Sequence, residues 1–143
     1  MLTQAEADAL IAADKDFVDP QPIYLKPGLD ESHDLQSKDR RERFILDIWR
    51  GTIRLSKARY QTRGRKAIIL VRLDFGGAPH TNPDESQVGP DHMHVYREGY
   101  EDRWAVAADP AEFHDLKDMG LALEDFCVFC HIQGVPQIQV SLI

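Results

Sequence analysis

Ala67-Ile68-Ile69-Leu70-Val71-Arg72-Leu73-Asp74-Phe75 is the most apolar run of the chain. Its length and β-branched content suit a buried strand. At the two-residue period of a strand, Ile69, Val71, Leu73 and Phe75 share one face, with Arg72 and Asp74 on the other. We read it as the central strand of a sheet. Upstream, Phe44, Leu46 and Ile48 alternate with Ile45, Asp47 and Trp49. Arg50-Gly51-Thr52 reads as a tight turn, and Ile53 and Leu55 carry a second strand to about Gln61. Arg63-Gly64-Arg65 turns the chain into the central run. Downstream, Gly76-Gly77 opens a long loop to Asp91. His92–Arg97 is the next strand, Glu98-Gly99-Tyr100 a turn, and Asp102–Ala107 a last strand with Trp104 and Val106 on one face. Short turns between consecutive strands imply antiparallel pairing.

Helical signals flank these strands. Thr3 and Glu6 form a capping box for a helix running to about Asp14, docked through Leu2, Leu10 and Ile11. Prolines 20, 22 and 27 leave Ile23-Tyr24-Leu25 as an edge strand or none. Leu29–Arg40 reads as a polar loop with a weak strand near Asp34–Ser37. Asp109-Pro110 suggests an N-cap with proline at N1, opening a short helix over Glu112–Met119. A second helix, Leu121–His131, puts Leu123, Phe126, Cys127 and Cys130 on one stripe. The tail Gln137–Ile143 alternates as a small strand. The expected fold is α+β over one domain, 1–143. It has an antiparallel meander of about five strands, an N-terminal helix and one or two C-terminal helices.

With 43% hydrophobic and 29% charged residues, the composition is that of a globular protein with a real core. No apolar run is long enough to span a bilayer and no secretory signal is evident, so the expectation is a cytoplasmic protein without membrane contact. The net charge of −7 is unevenly spread. Between Lys38 and Arg72 twelve Lys or Arg face three acids, a local +9, which leaves −16 for the rest. Two readings stay open. The segment is a footprint for a phosphate backbone, with Tyr60 available for stacking, or its strand faces are neutralised by acids packed nearby.

Chemistry concentrates in Pro79-His80-Thr81-Asn82-Pro83 and Asp91-His92-Met93-His94-Val95-Tyr96-Arg97. On a strand His92, His94 and Tyr96 point the same way, with the two imidazoles about 7 Å apart. His80 joins them if the loop folds back. A metal site would need a third ligand, from His80, Asp91 or Asp84. We favour metal-free acid–base work by His80, His92 and His94, with no cofactor. That chemistry suits RNA, whose 2′-hydroxyl is its own nucleophile, with Lys57, Arg59, Tyr60, Arg72 and Arg97 holding phosphates and a base. Cys127-Val128-Phe129-Cys130-His131 matches the haem-attachment string, but without an export signal or a second axial ligand it reads as two buried thiols on a helix.

The Arg43–Gly51 run, Ile53–Arg59, the strand Val71-Arg72-Leu73-Asp74, the Pro79–Pro83 loop and Asp91–Tyr100 together resemble a bacterial family of unknown function, from Arg41 to Cys130. More distantly, Asp91, His92 and His94 followed by the Leu123–Phe126 helix look like the TumE-type toxins of toxin–antitoxin pairs. That resemblance implies action on RNA and an antitoxin or host protein as partner. The leading expectation is thus a toxin-like ribonuclease. The alternatives are a non-catalytic protein inhibiting a host nucleic-acid complex, encoded by a phage or mobile element, and a metal-dependent hydrolase.

Overall fold

The computed structural model describes residues 1–141. Its helices are α1 (Gln4–Ala12) and α2 (Met119–Phe129). Its strands are β1 (Lys15–Phe17), β2 (Ile23–Leu25), β3 (Asp30–Ser37), β4 (Arg43–Arg50), β5 (Ala58–Gly64), β6 (Ile68–Phe75), β7 (His80–Thr81), β8 (Gln87–Val88), β9 (His92–Val95), β10 (Ala105–Ala107), β11 (Ile132–Gln133) and β12 (Ile138–Val140). The fold is α+β. One mostly antiparallel sheet of eight strands has the order β10-β9-β6-β5-β4-β3-β1-β11, and two small pairs, β12-β2 and β7-β8, stand beside it.

The central run is β6, between β5 and β9, as its apolar character demands. Phe44, Leu46 and Ile48 of β4, Tyr60 of β5, and Leu73 and Phe75 of β6 pack on one face with Phe126 and Leu123 of α2, Leu10 of α1 and Leu2 ahead of that helix. Burial of this layer supplies the main drive to fold. At the start of α1, Thr3 Oγ1 accepts from the Glu6 N–H while Glu6 Oε1 accepts from the Thr3 N–H, both at 3.1 Å. Two helix donors are thereby satisfied. Cys127 and Cys130 are free thiols buried in the same core.

The opposite face of the sheet is polar. Across it run two cross-strand rows, Trp49–Arg59–Asp74–His92 and Asp47–Gln61–Arg72–His94, each residue opposite its neighbour in register. Directly opposed side chains on one face touch, so these rows are contact rows.

Several expectations need correction. The sheet has eight strands rather than about five: β1 and β11 are too short to carry a period, and β3 is too polar, with only Leu35 and Ser37 buried. Arg50-Gly51-Thr52 is no tight turn. Residues 51–57 form a longer loop closed by the Gly51 N–H on the Lys57 carbonyl, and Ile53 is 95% exposed. Arg50 instead turns inward, donating to the Leu25, Leu55 and Ser141 carbonyls. No α-helix forms over 112–118. Asp109 caps a turn there, and Asp118 is the true N-cap, accepting from the Leu121 N–H. In the tail β12 pairs in parallel with β2, while 142–143 lie outside the described residues.

One irregularity redirects a side chain. Thr62 opposes Val71 and Arg63 opposes Ile69, so Leu70 is an extra residue and the face alternation flips there. Tyr96, whose N–H reaches the Leu70 carbonyl, leaves the face of His92 and His94. It is buried, its hydroxyl donating to the Leu2 carbonyl and accepting from the Leu2 N–H, both at 2.9 Å.

Candidate active site: a histidine cluster on the polar sheet face

The residue 76–91 loop is long but fastened at its ends and on β10. Gly76 lies at φ +72, and a Cβ there would sit 2.2 Å from the Ser56 carbonyl oxygen, so only glycine allows the chain to pass. The Gly76 N–H donates to Asp91 Oδ1 at 3.1 Å, which ties the loop's two ends together. Asn82 is buried and imitates a strand. Its Nδ2 donates to the Ala105 carbonyl at 3.0 Å and its Oδ1 accepts from the Ala105 N–H at 2.8 Å, docking the loop on β10.

Docking brings His80 onto His92 and His94. Ring centroids are 5.6 Å apart for His80–His92, 4.6 Å for His80–His94 and 5.0 Å for His92–His94. One ligand nitrogen from each ring lies within 4.8 Å of the other two. His92 is buried, His94 is 0% exposed, and His80 is half-buried at the mouth.

Each ring spends its second nitrogen on a backbone carbonyl. His80 Nε2 meets the Arg103 oxygen at 2.9 Å, His92 Nδ1 the Gly89 oxygen at 2.7 Å, and His94 Nδ1 the Asp102 oxygen at 2.7 Å. A carbonyl only accepts, so these nitrogens carry the hydrogens. In the neutral rings His80 Nδ1, His92 Nε2 and His94 Nε2 are left as lone pairs. Arg72 Nη2 stands 3.0 Å from His94 Nε2, and a guanidinium only donates, which agrees with that tautomer.

Asp74 completes the site. Its Oδ2 lies 3.4 Å from His92 Nε2 and 3.3 Å from His94 Nε2, and it accepts from Arg72 Nε at 3.0 Å; Oδ1 accepts from Arg59 Nε at 2.7 Å. Burial opposes the Asp74 charge, but contacts with His94, Arg59 and Arg72 together hold its carboxyl well below the usual carboxylate range. Burial pushes the His92 imidazole below its ordinary value, against the Gly89 hydrogen bond and the Asp74 charge. A cleft of about 190 Å³ opens over this group, lined among others by Trp49, Lys57, Arg59, Arg72, His80 and His92.

The expected residues divide clearly. His80, His92 and His94 come together, and Lys57, Arg59 and Arg72 border the cleft. Tyr60 cannot stack on a base. It points into the core, 0% exposed, with its hydroxyl on the Met119 carbonyl at 2.9 Å and its ring against Phe75 and Phe126. Arg97 lies outside the cleft lining, stacked over Trp104 at 4.5 Å and near Tyr100. Asp84 is turned to Ser86 and Asp91 to Gly76, so neither reaches the histidines. Much of the basic segment is paired with acids: Arg59 with Asp74, Arg63 with Asp47, Arg65 with Glu42, and Arg72 with Asp74 and Asp102.

Asp74 is the member that the expectation lacked. Its signal was the polar pair Arg72 and Asp74 interrupting the most apolar strand. Charges on a central strand call for partners on its neighbours. The carbonyls of Gly89, Asp102 and Arg103 had no signal, because any residue carries one.

Fold and site define an α+β protein with a histidine-centred cleft on the solvent face of its sheet. The chain belongs to a family of unknown function, DUF6978, whose family model matches residues 2–132. No curated protein and no solved structure matches it.

Proposed function

We propose that the protein cleaves RNA, with His80, His92 and His94 as the reaction centre. The observation that carries this reading is the cluster itself: three imidazoles with their open nitrogens converging at the foot of a cleft bordered by Lys57, Arg59 and Arg72. A phosphodiester placed there would meet cations on one side and a proton acceptor on the other. The 2′-hydroxyl would lose its proton at the cluster and its oxygen would attack the adjacent phosphorus. The bond to the 5′-oxygen would break, and that oxygen would leave as a hydroxyl after taking back from the cluster the proton that the 2′-hydroxyl gave up. Lys57 and the guanidinium groups would offset the negative charge that builds on the phosphoryl oxygens. Substrate would touch His80 and His92, while His94, with no exposed surface, would act by holding Arg72, whose Nη2 stands 3.0 Å from its Nε2.

The distant likeness to TumE-type toxins agrees with an RNA substrate, and such a protein would work in the cytoplasm beside an antitoxin. Fragmentation of total RNA by the purified protein, lost in the His92→Ala/His94→Ala double variant, is the expected result. RNA left intact by the wild-type protein would favour instead a non-catalytic protein that binds a host nucleic-acid complex.

A further inference from the structure

The contact between Asp74 and the two buried histidines is unusual. With their hydrogens committed to the Gly89 and Asp102 carbonyls, His92 Nε2 and His94 Nε2 present lone pairs, and so does Asp74 Oδ2. Arg72 already donates to two of these acceptors, through Nε to Asp74 Oδ2 and through Nη2 toward His94 Nε2. Among the described residues no group donates to His92 Nε2 or His80 Nδ1, and both rings line the cleft.

The three imidazole nitrogens lie within 4.8 Å of one another, near enough to close on one ion by small side-chain shifts. In a tetrahedral site with bonds of about 2.0–2.1 Å to nitrogen and oxygen, ligand atoms lie about 3.3–3.4 Å apart. Asp74 Oδ2 stands 3.4 Å and 3.3 Å from the two imidazole nitrogens. Backbone carbonyls fixing the second nitrogen of every ring are the outer support that metal-ligating histidines show. Burial points the same way. A fully buried His94 cannot exchange a proton with a substrate, but it can hold an ion that does.

We propose that His80, His92 and His94, with Asp74 Oδ2 facing the same ion, bind one divalent first-row transition metal. Imidazole nitrogen with a single carboxylate suits zinc, iron, cobalt or nickel better than magnesium or calcium. On binding, the Arg72 Nη2 bond to His94 is exchanged for the metal, and Arg72 stays held by Asp74 and Asp102. A water added as a fifth ligand, ionised near neutral pH, would supply the base that takes the 2′-hydroxyl proton, and the ion would stabilise the phosphoryl charge. The inference rests on the cluster being the reaction centre and not on RNA being what it cuts.

The test is metal binding by the purified full chain, read independently of cleavage. The protein is stripped with chelator and titrated with Zn²⁺ by calorimetry and with Co²⁺ by visible absorption, beside His80→Ala and Asp74→Asn. His80 is half-buried at the mouth, so its replacement leaves the core intact, and a thermal melt checks the fold of each variant. One ion per chain is expected, with affinity lowered about tenfold or more in both variants and a melting temperature raised more by Zn²⁺ in the wild-type protein than in either variant. No binding of either ion, or equal binding by His80→Ala, would overturn the metal centre. RNA cut equally fast by stripped protein in chelator would overturn it too. Metal bound while RNA stays intact would uphold the centre and remove the ribonuclease reading.

Discussion

Asp74 Oδ2 stands 3.3 Å from His94 Nε2 across the β6–β9 pair, and neither atom carries a hydrogen in the neutral tautomer that the Asp102 carbonyl imposes. Arg72 bridges the two, donating through Nε to Asp74 Oδ2 and through Nη2 toward His94 Nε2. Buried polar groups of that kind persist where they serve a site.

Asp74→Asn replaces the charge by an amide whose NH₂ can donate to the imidazole nitrogens. Cleavage should fall about tenfold to a hundredfold, and the melting temperature should fall too, since Arg59 and Arg72 lose the carboxylate that they hold ionised. Rates measured beside thermal melts check this, and an unchanged rate would separate Asp74 from the chemistry.

Asn82→Ala removes both bonds to the buried Ala105 backbone and leaves a strand N–H and carbonyl unpaired. The expected cost is about 1–3 kcal/mol. Amide exchange should rise over residues 80–88 first and cleavage should drop as His80 drifts, with the core strands still protected. Exchange mapped by mass spectrometry would show either this local pattern or a uniform loss that contradicts it.

Tyr60→Phe deletes the hydroxyl bonded to the Met119 carbonyl but keeps the ring between Phe75 and Phe126. Stability should fall by roughly 1 kcal/mol, with RNA affinity and cleavage unchanged. A change in affinity without a change in stability would return Tyr60 to the interface.

Lys15 provides a pH test remote from the histidines. Its ammonium donates to the Ile11, Ala13 and Cys130 carbonyls, and burial pushes its pKa down to about 8 from 10.5. The unfolded chain therefore binds more protons than the folded one between those values, so this group makes stability rise as pH climbs from about 8 to 10.5. Burial pushes the neighbouring Cys130 thiol up to about 12, which acts in the opposite sense above pH 9. Comparison isolates the lysine: from pH 7 to 10, urea denaturation of the wild-type protein should gain stability relative to Lys15→Met.

The histidine cluster was legible because titratable residues concentrated in one loop and one strand, and the strand period aligned His92 with His94. The paired Arg72 and Asp74 were visible on β6, but their meaning needed the register that sets Asp74 against His92 and Arg72 against His94. Tyr60 misled because an aromatic beside arginines reads equally as surface or core, and only the parity of β5 places it with Ala58 and Thr62 inside. Tyr96 misled because a single extra residue at Leu70 reversed its face. Edge strands such as β1 and β11 form by pairing with distant segments, which a local pattern does not record.

The central claim is that this cluster cuts RNA. It is tested most directly by incubating one oligoribonucleotide, and its all-deoxy counterpart, with the wild-type protein and with His80→Ala. The account expects cleavage of the RNA alone, fragments ending in 2′,3′-cyclic phosphate, and a rate about a hundredfold lower in the variant. Intact RNA, or equal cleavage by His80→Ala, would contradict it.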